Sequence, residues 1–290
     1  MIFTINTYTP LLSRVYTYKK HTTKRRSITM RIGITEQGDA GLNLSWDAKL
    51  RAGGYDGAIL ITKNANRNFQ THVLDLYRSG FQNLILHITC TGLGGTTFEP
   101  YVPRRDEQLS NLQSLIQQGF PQQQIVLRID PILPTTLGMA CLDNVLSHPI
   151  VHTLQAQGPL RIRISLLDLY RHVKDRLALE QLSLPWYTFH APYDRMLLVA
   201  AHLANHPGFV FETCAEDHFA ELAVKAYPQL TIEPCGCLSE KDFAIWNLTV
   251  PDHLLSGMQR NGCHCLSCKS ELLTARKRCP HQCLYCYWKD

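Results

Sequence analysis

The sequence predicts an α/β protein: a complete or partial (β/α) TIM-like barrel with a cysteine-rich C-terminal segment folding over the barrel mouth. Three observations lead there. Short β-rich or apolar runs alternate with segments of helical periodicity, polar and thiol residues fall where those runs end, and cysteines crowd the final stretch of the chain.

The runs that read as strands are Arg31–Thr35, Gly57–Lys63, Asn83–Cys90, Ile125–Asp130, Leu160–Asp168, Gly208–Cys214 and Gln229–Glu233. Between them, Arg67–Gly80 carries Phe69, Val73, Leu76 and Tyr77 on one stripe and ends at Gly80, a residue suited to a C-terminal cap. Asp106–Gly119 repeats the pattern with Leu109, Leu112, Leu115 and Ile116, and Asp168–Leu182 and Tyr193–Asn205 are further helical stretches. Strands separated by helices pair in parallel, with the helices outside the sheet. Six or seven such units suit a barrel, and a doubly wound open sheet is the structural alternative.

The chain has 290 residues, 45% hydrophobic and 18% charged, which suits a globular protein with a large core. No run of about 18 apolar residues is present, so no membrane-spanning helix is expected. The net charge of +5 owes much to the start of the chain, where Arg14, Lys19, Lys20, Lys24, Arg25, Arg26 and Arg31 precede the first acidic residue, Glu36. Residues 1–29 therefore read as a disordered basic leader, open also to the readings of a targeting peptide or an extended reading frame before Met30. Without the leader the body is close to neutral, and its charge makes no case for nucleic acid. The barrel is expected over 30–234 and the cysteine-rich segment over 235–290.

Eleven cysteines without a secretory signal, odd in number and mostly between Cys235 and Cys286, point to metal ligation in a reducing cytoplasm rather than to disulfides. A β/α barrel carries its active site on the loops after its strands. The strand ends here present Lys63-Asn64, Cys90-Thr91-Gly92, Asp130, Asp168, Cys214-Ala215-Glu216 and Glu233-Pro234-Cys235. Lys63, Asn64, Asp130, Asp168 and Glu216 are accordingly candidates for contacts to a cofactor or substrate, although each alone could be a solvated charge or a helix cap. Cys90 and Cys141 read as structural, with Cys90 at a strand end able also to donate a hydrogen atom.

Cys279-Pro-His-Gln-Cys283-Leu-Tyr-Cys286 is the sharpest signal. Three thiolates at this spacing can bind three irons of a 4Fe-4S cluster and leave the fourth iron open. S-adenosylmethionine (SAM) chelates such an iron through its amino and carboxylate groups, and an aromatic residue before the third cysteine, here Tyr285, is part of the radical-SAM pattern. Structural zinc usually takes four ligands in C-x2-C pairs, which this spacing fits less well. The rival class is a non-catalytic iron–sulfur electron-transfer or sensing protein, or a zinc-stabilised binding module. A fourth residue such as His281 or Cys268 would then close the site.

The chain resembles the bacterial family called domain of unknown function eighteen-forty-eight. The resemblance is carried by ITKN at Ile61–Asn64, FEPYVP at Phe98–Pro103, RIDPIL at Arg128–Leu133, ISLLDLYRHVKDR at Ile164–Arg176, ETCAE at Glu212–Glu216, CHC at Cys263–Cys265 and CPHQCLYCYW at Cys279–Trp288. Two family segments are missing: Thr35–Ala40 replaces an Arg-Arg-Thr-Asp-Ile-Pro stretch, and no Asp-Ile-Gly lies between Cys268 and Cys279. The resemblance implies a radical-SAM enzyme with an unknown substrate, served by an electron donor such as flavodoxin or ferredoxin. It also implies that Cys214, Cys237, Cys263 and Cys265 form a set able to hold a second iron–sulfur cluster or zinc. Similarity of the triplet to spore photoproduct lyase makes a nucleic-acid substrate conceivable on the motif alone.

Overall fold

The computed structural model describes residues 30–179, 192–251, 254, 263–274, 278–287 and 289; the expected leader lies outside them. The chain alternates strand and helix through β1 (Ile32–Ile34), α1 (Ser45–Arg51), β2 (Gly57–Thr62), α2 (Arg67–Arg78), β3 (Leu84–Thr89) and α3 (Arg105–Gln117). It continues through β4 (Ile125–Ile132), α4 (Thr136–Leu146), α5 (Pro149–Gln157), β5 (Arg161–Leu166), α6 (Arg171–Leu179), α7 (Pro192–Ala204), β6 (Val210–Cys214) and α8 (Asp217–Ala226). Then follow β7 (Thr231–Cys235), α9 (Glu240–Ile245) and β8 (Lys269–Glu271).

All eight strands form one sheet in the order β7-β6-β5-β4-β3-β2-β1-β8, every pair parallel. Side chains alternate across it with the period of two that a strand imposes. In β3, Leu84, Leu86 and Ile88 enter the core shared with the helices, among Phe69, Val73, Leu109 and Leu112, whereas Ile85 joins Ile32, Ile59 and Val126 on the inner face. Burial on both faces is why these strands read as nearly unbroken apolar runs. Helix starts follow local chemistry: Asn66 accepts from Phe69 N at the head of α2, and Thr135 accepts from Gly138 N at the head of α4.

Residues after β7 cover part of the inner face. Phe243 and Trp246, at the end of α9, pack there with Ile32 and Ile59, and Gly57 makes room, since a Cβ would sit 3.1 Å from the Trp246 ring. The C-terminal segment is therefore woven into the sheet, supplying both this cover and β8.

A closed barrel is not what forms: among the described residues β7 and β8 are the edges of an open sheet. β8 has only three residues and pairs with β1 alone, while β7 carries Pro234, which has no N–H to give a neighbour. Between the edges run two loop segments that share, among the described residues, one backbone bond, Leu266 N to Leu238 O at 3.1 Å. No helix among the described residues is long and apolar enough to cross a membrane.

Candidate metal centres at the strand ends

Parallel strands deliver all their C-terminal ends to one side of the sheet, and there a cavity of about 490 Å³ opens. Both cysteine sets face it: Cys279, Cys283 and Cys286 from the C-terminal loop, and Cys214, Cys237, Cys263 and Cys265 from the sheet's edge. Lys63, Asp130, Asp168 and Tyr285 line it too, so four of the six expected cofactor contacts come together. Asn64 and Glu216 stand behind the wall. The Asn64 carbonyl abuts Gly41, and the Glu216 carboxylate accepts from Ser165 Oγ and Leu166 N, both at 3.0 Å, fixing the end of β5.

The triplet loop is held by side chains rather than by sheet bonds. His281 is 2% exposed; its Nδ1 lies 3.0 Å from the Tyr101 carbonyl and its Nε2 lies 3.0 Å from Asp39 Oδ2. Two acceptors around one imidazole call for a proton on each nitrogen. Burial alone would lower the His281 pKa, but Asp39 outweighs it and raises it; the Asp39 carboxyl is in turn held below its usual range, against burial, by His281 and Thr62. Asp39 also accepts from Thr62 Oγ1 at 2.6 Å, Lys63 N at 2.6 Å and Gly41 N at 2.8 Å. With both nitrogens engaged, His281 is a strut of the loop and offers no lone pair to a metal. Cys268, the other candidate for closing the site, lies at the opposite end of the sheet, where its carbonyl accepts from Ile32 N at the start of β1.

Further anchors come from α6 and the β3–α3 loop. Arg176 Nη1 donates to the carbonyls of Cys286 at 2.6 Å and Leu284 at 3.1 Å, and Leu284 N donates to Phe98 O at 3.0 Å. Glu99, 1% exposed, binds Lys63 Nζ at 2.8 Å, Thr91 Oγ1 at 2.7 Å and the Tyr285 hydroxyl, while Lys63 Nζ sits 5.5 Å from the Tyr285 ring centre. Burial pushes the Cys279 thiol up to about 11 and the Cys283 thiol higher still, with the Lys63 charge pulling the latter back in part. Such thiols ionise when a metal replaces the proton.

The second set is built on strand ends. Cys214 is the last residue of β6, Cys237 follows β7 by two residues, and Cys263 and Cys265 precede β8. Cys214 Sγ and Cys237 Sγ are 3.6 Å apart, and the sulfurs of Cys214, Cys237 and Cys265 all lie within 4.8 Å of one another, an arrangement that could hold a metal ion. Backbone amides support the sulfurs: Cys237 N donates to Cys265 Sγ at 3.1 Å, and Cys265 N to Cys263 Sγ at 3.4 Å. Hydrogen bonds from Cys214 and Cys237 hold the Cys265 thiol well below its usual range, against burial. No other trio of possible ligands among the described residues is gathered so closely, so the triplet's sulfurs stand further apart. Cys235 belongs to neither set, its sulfur taking Arg163 Nη2 at 3.3 Å, and Cys90 is buried away from the cavity with its thiol pushed up to about 12 by burial.

Beneath the cysteines the inner face is ionic. Glu212 accepts from Arg163 Nη2 at 2.5 Å and Arg161 Nε at 3.0 Å, and Arg161 Nη1 reaches Asp242 at 2.8 Å. Burial would raise Glu212, but the two arginines hold it down at about 2. Arg128 lines the cavity, paired with Asp130.

Asp39, Glu99, Arg128 and Arg176 carry no signal that picks them out in the sequence. Glu99, Arg128 and Arg176 fall inside motifs noticed for other reasons, and Asp39 stands in the stretch where the family pattern is interrupted.

A family model described as "Domain of unknown function (DUF1848)" matches residues 45–288. No curated protein matches the chain. Two solved structures of the carboxyl transferase domain of Rhizobium etli pyruvate carboxylase are similar in part, one determined with pyruvate and biocytin. The one with ligands is 14% identical, with TM-score 0.29 over 74% of this chain and 42% of that one. The other is 13% identical, with TM-score 0.28 over 72% and 41%. The chain thus spans less than half the length of the solved structures it matches.

Proposed function

The chain belongs to the DUF1848 family, and on that premise we propose that it binds an iron–sulfur cluster on Cys279, Cys283 and Cys286 and reductively cleaves SAM to begin radical chemistry on a substrate held in the strand-end cavity. The observation that carries this reading is a three-thiol loop facing a cavity, with the two side chains best placed by sequence to close it committed elsewhere, His281 to Asp39 and Tyr101, Cys268 to the far end of the sheet. Such a cluster would supply the electron that splits SAM into methionine and a 5′-deoxyadenosyl radical.

The chain's own groups supply binding and order. Lys63 and Arg128 offer cationic donors to the carboxylate of a bound amino acid, and Asp130 and Asp168 offer acceptors to its ammonium or to sugar hydroxyls. Glu99 ties Lys63 and Tyr285 into one unit, so the cation and the ring beside the third cysteine keep a fixed relation. Arg176 and His281 hold the loop against the cavity wall.

The test is anaerobic reconstitution with iron and sulfide, reduction, and electron paramagnetic resonance with and without SAM. A signal that changes on adding SAM, with 5′-deoxyadenosine released and lost in Cys283→Ala, is the expected result. A signal indifferent to SAM would transfer the protein to the electron-transfer or sensing class.

A further inference from the structure

We propose that Cys214, Cys237, Cys263 and Cys265 hold a single tetrahedral zinc ion, and that this ion joins the two open edges of the sheet. The site uses none of the triplet's thiols and stands whether or not the triplet carries a cluster.

Spacing selects the kind of metal. Four sulfurs at about 2.3 Å around one tetrahedral ion lie roughly 3.8 Å from one another. Cys214 and Cys237 are 3.6 Å apart, and Cys265 lies within 4.8 Å of both. In a four-iron cluster each thiolate binds a different iron, which spreads the sulfurs well beyond that. Cys263, its sulfur taking the amide of Cys265 and its side chain facing the same cavity, stands just outside that close trio and is the fourth ligand, closing in on the ion as it binds. An all-thiolate set favours zinc over hard cations such as magnesium or calcium. Four thiolates on a divalent ion leave a charge of −2. The inner face meets it with Arg128, whose buried Nε has no hydrogen-bond partner among the described residues and whose electrostatic partners include Cys237 and Cys214.

Position selects the role. Cys214 and Cys237 belong to the β6–β7 edge and Cys263 and Cys265 to the approach to β8, so one ion grips both sides of the gap that strand pairing leaves. The two segments are pressed together at Gly236, where a Cβ would stand 2.7 Å from the backbone of Cys265.

The full chain, purified anaerobically, should contain one zinc, with X-ray absorption at the zinc edge reporting sulfur neighbours at about 2.3 Å. Cys283→Ala should keep that zinc and Cys237→Ser should lose it. Should Cys237→Ser fail to fold, the wild-type chain answers instead: removing zinc with a chelator should lower its melting temperature, and adding Zn(II) should restore it. Iron that depends on Cys237 in place of zinc would overturn the assignment, and zinc loss without any change in melting temperature would overturn the structural role.

Discussion

Two groups of cysteines share one cavity, yet they are held in opposite ways. Cys214 ends β6, Cys237 lies two residues beyond β7, and Cys263 and Cys265 lie on the loop before β8, tied to the β7 side by Leu266 N on Leu238 O and Cys237 N on Cys265 Sγ, an arrangement that brings three sulfurs within 4.8 Å. Cys279, Cys283 and Cys286 sit on a loop that no strand supports, kept in place by His281, Arg176 and one amide bond to Phe98. Closely set thiols on a rigid frame suit a bond that stays made. Spread thiols on a separately anchored loop suit a centre that keeps one coordination position for exchange. The contrast teaches that ligand spacing and ligand support can be read together: on the two proposals made above, the set with four thiols serves the architecture and the set with three serves the chemistry.

Four substitutions sharpen that division. Cys283→Ala should abolish 5′-deoxyadenosine formation completely while moving the melting temperature little, as measured by product chromatography and calorimetry. Asp39→Asn should cost about 3–5 kcal/mol in chemical denaturation, since it leaves a buried imidazolium without its anion. Iron bound by the triplet should fall with it, because the loop loses its strut. Gly236→Ala should cost about 1–3 kcal/mol through the clash with Cys265 and should weaken zinc retention, leaving triplet iron unchanged. Asn66→Ala, which removes the cap of α2 and a bond to the Gly41 carbonyl, should cost about 1 kcal/mol and alter neither metal. If Gly236→Ala instead depleted triplet iron as strongly as Asp39→Asn, the two sets would not be separable and the comparison would fail.

Much of the fold was legible because strand and helix impose periods. All seven expected strands are present, within a few residues of their expected bounds, and Arg67–Arg78, Arg105–Gln117 and Pro192–Ala204 match the helices expected there; the one expected over Asp168–Leu182 forms as Arg171–Leu179, with Asp168–Tyr170 in the loop before it and residues 180–182 outside those described. β8 was not legible: Lys269-Ser-Glu271 has neither apolar character nor length, and it becomes a strand only because β1 offers it an edge. Closure was overread, since seven strand–helix units describe a curved parallel sheet as well as a finished barrel.

The site was legible where the residue type is chemically rare. Cysteine spacing pointed to the triplet, the family resemblance pointed to the second set, and strand ends pointed to Lys63, Asp130 and Asp168. Asp39 and Glu99 escaped because a carboxylate gains meaning only from what it touches, here His281 in one case and Lys63, Thr91 and Tyr285 in the other. His281 shows the reverse: its place between two cysteines suggested a ligand, whereas its two nitrogens face Asp39 and the Tyr101 carbonyl.

The pairing of β1 with β8 also has a kinetic side. Arg31 reaches Ser270, 239 residues further along, so this edge joins two distant parts of the chain and carries a heavy loop-closure entropy. Contacts of such separation form late, and they slow folding in proportion to their share of the whole. Cys263 and Cys265 arrive with β8, so the proposed zinc site is completed only when this distant pairing forms. A chain in which β8 has not yet paired leaves the outer edge of β1 uncovered, open to pairing with another copy.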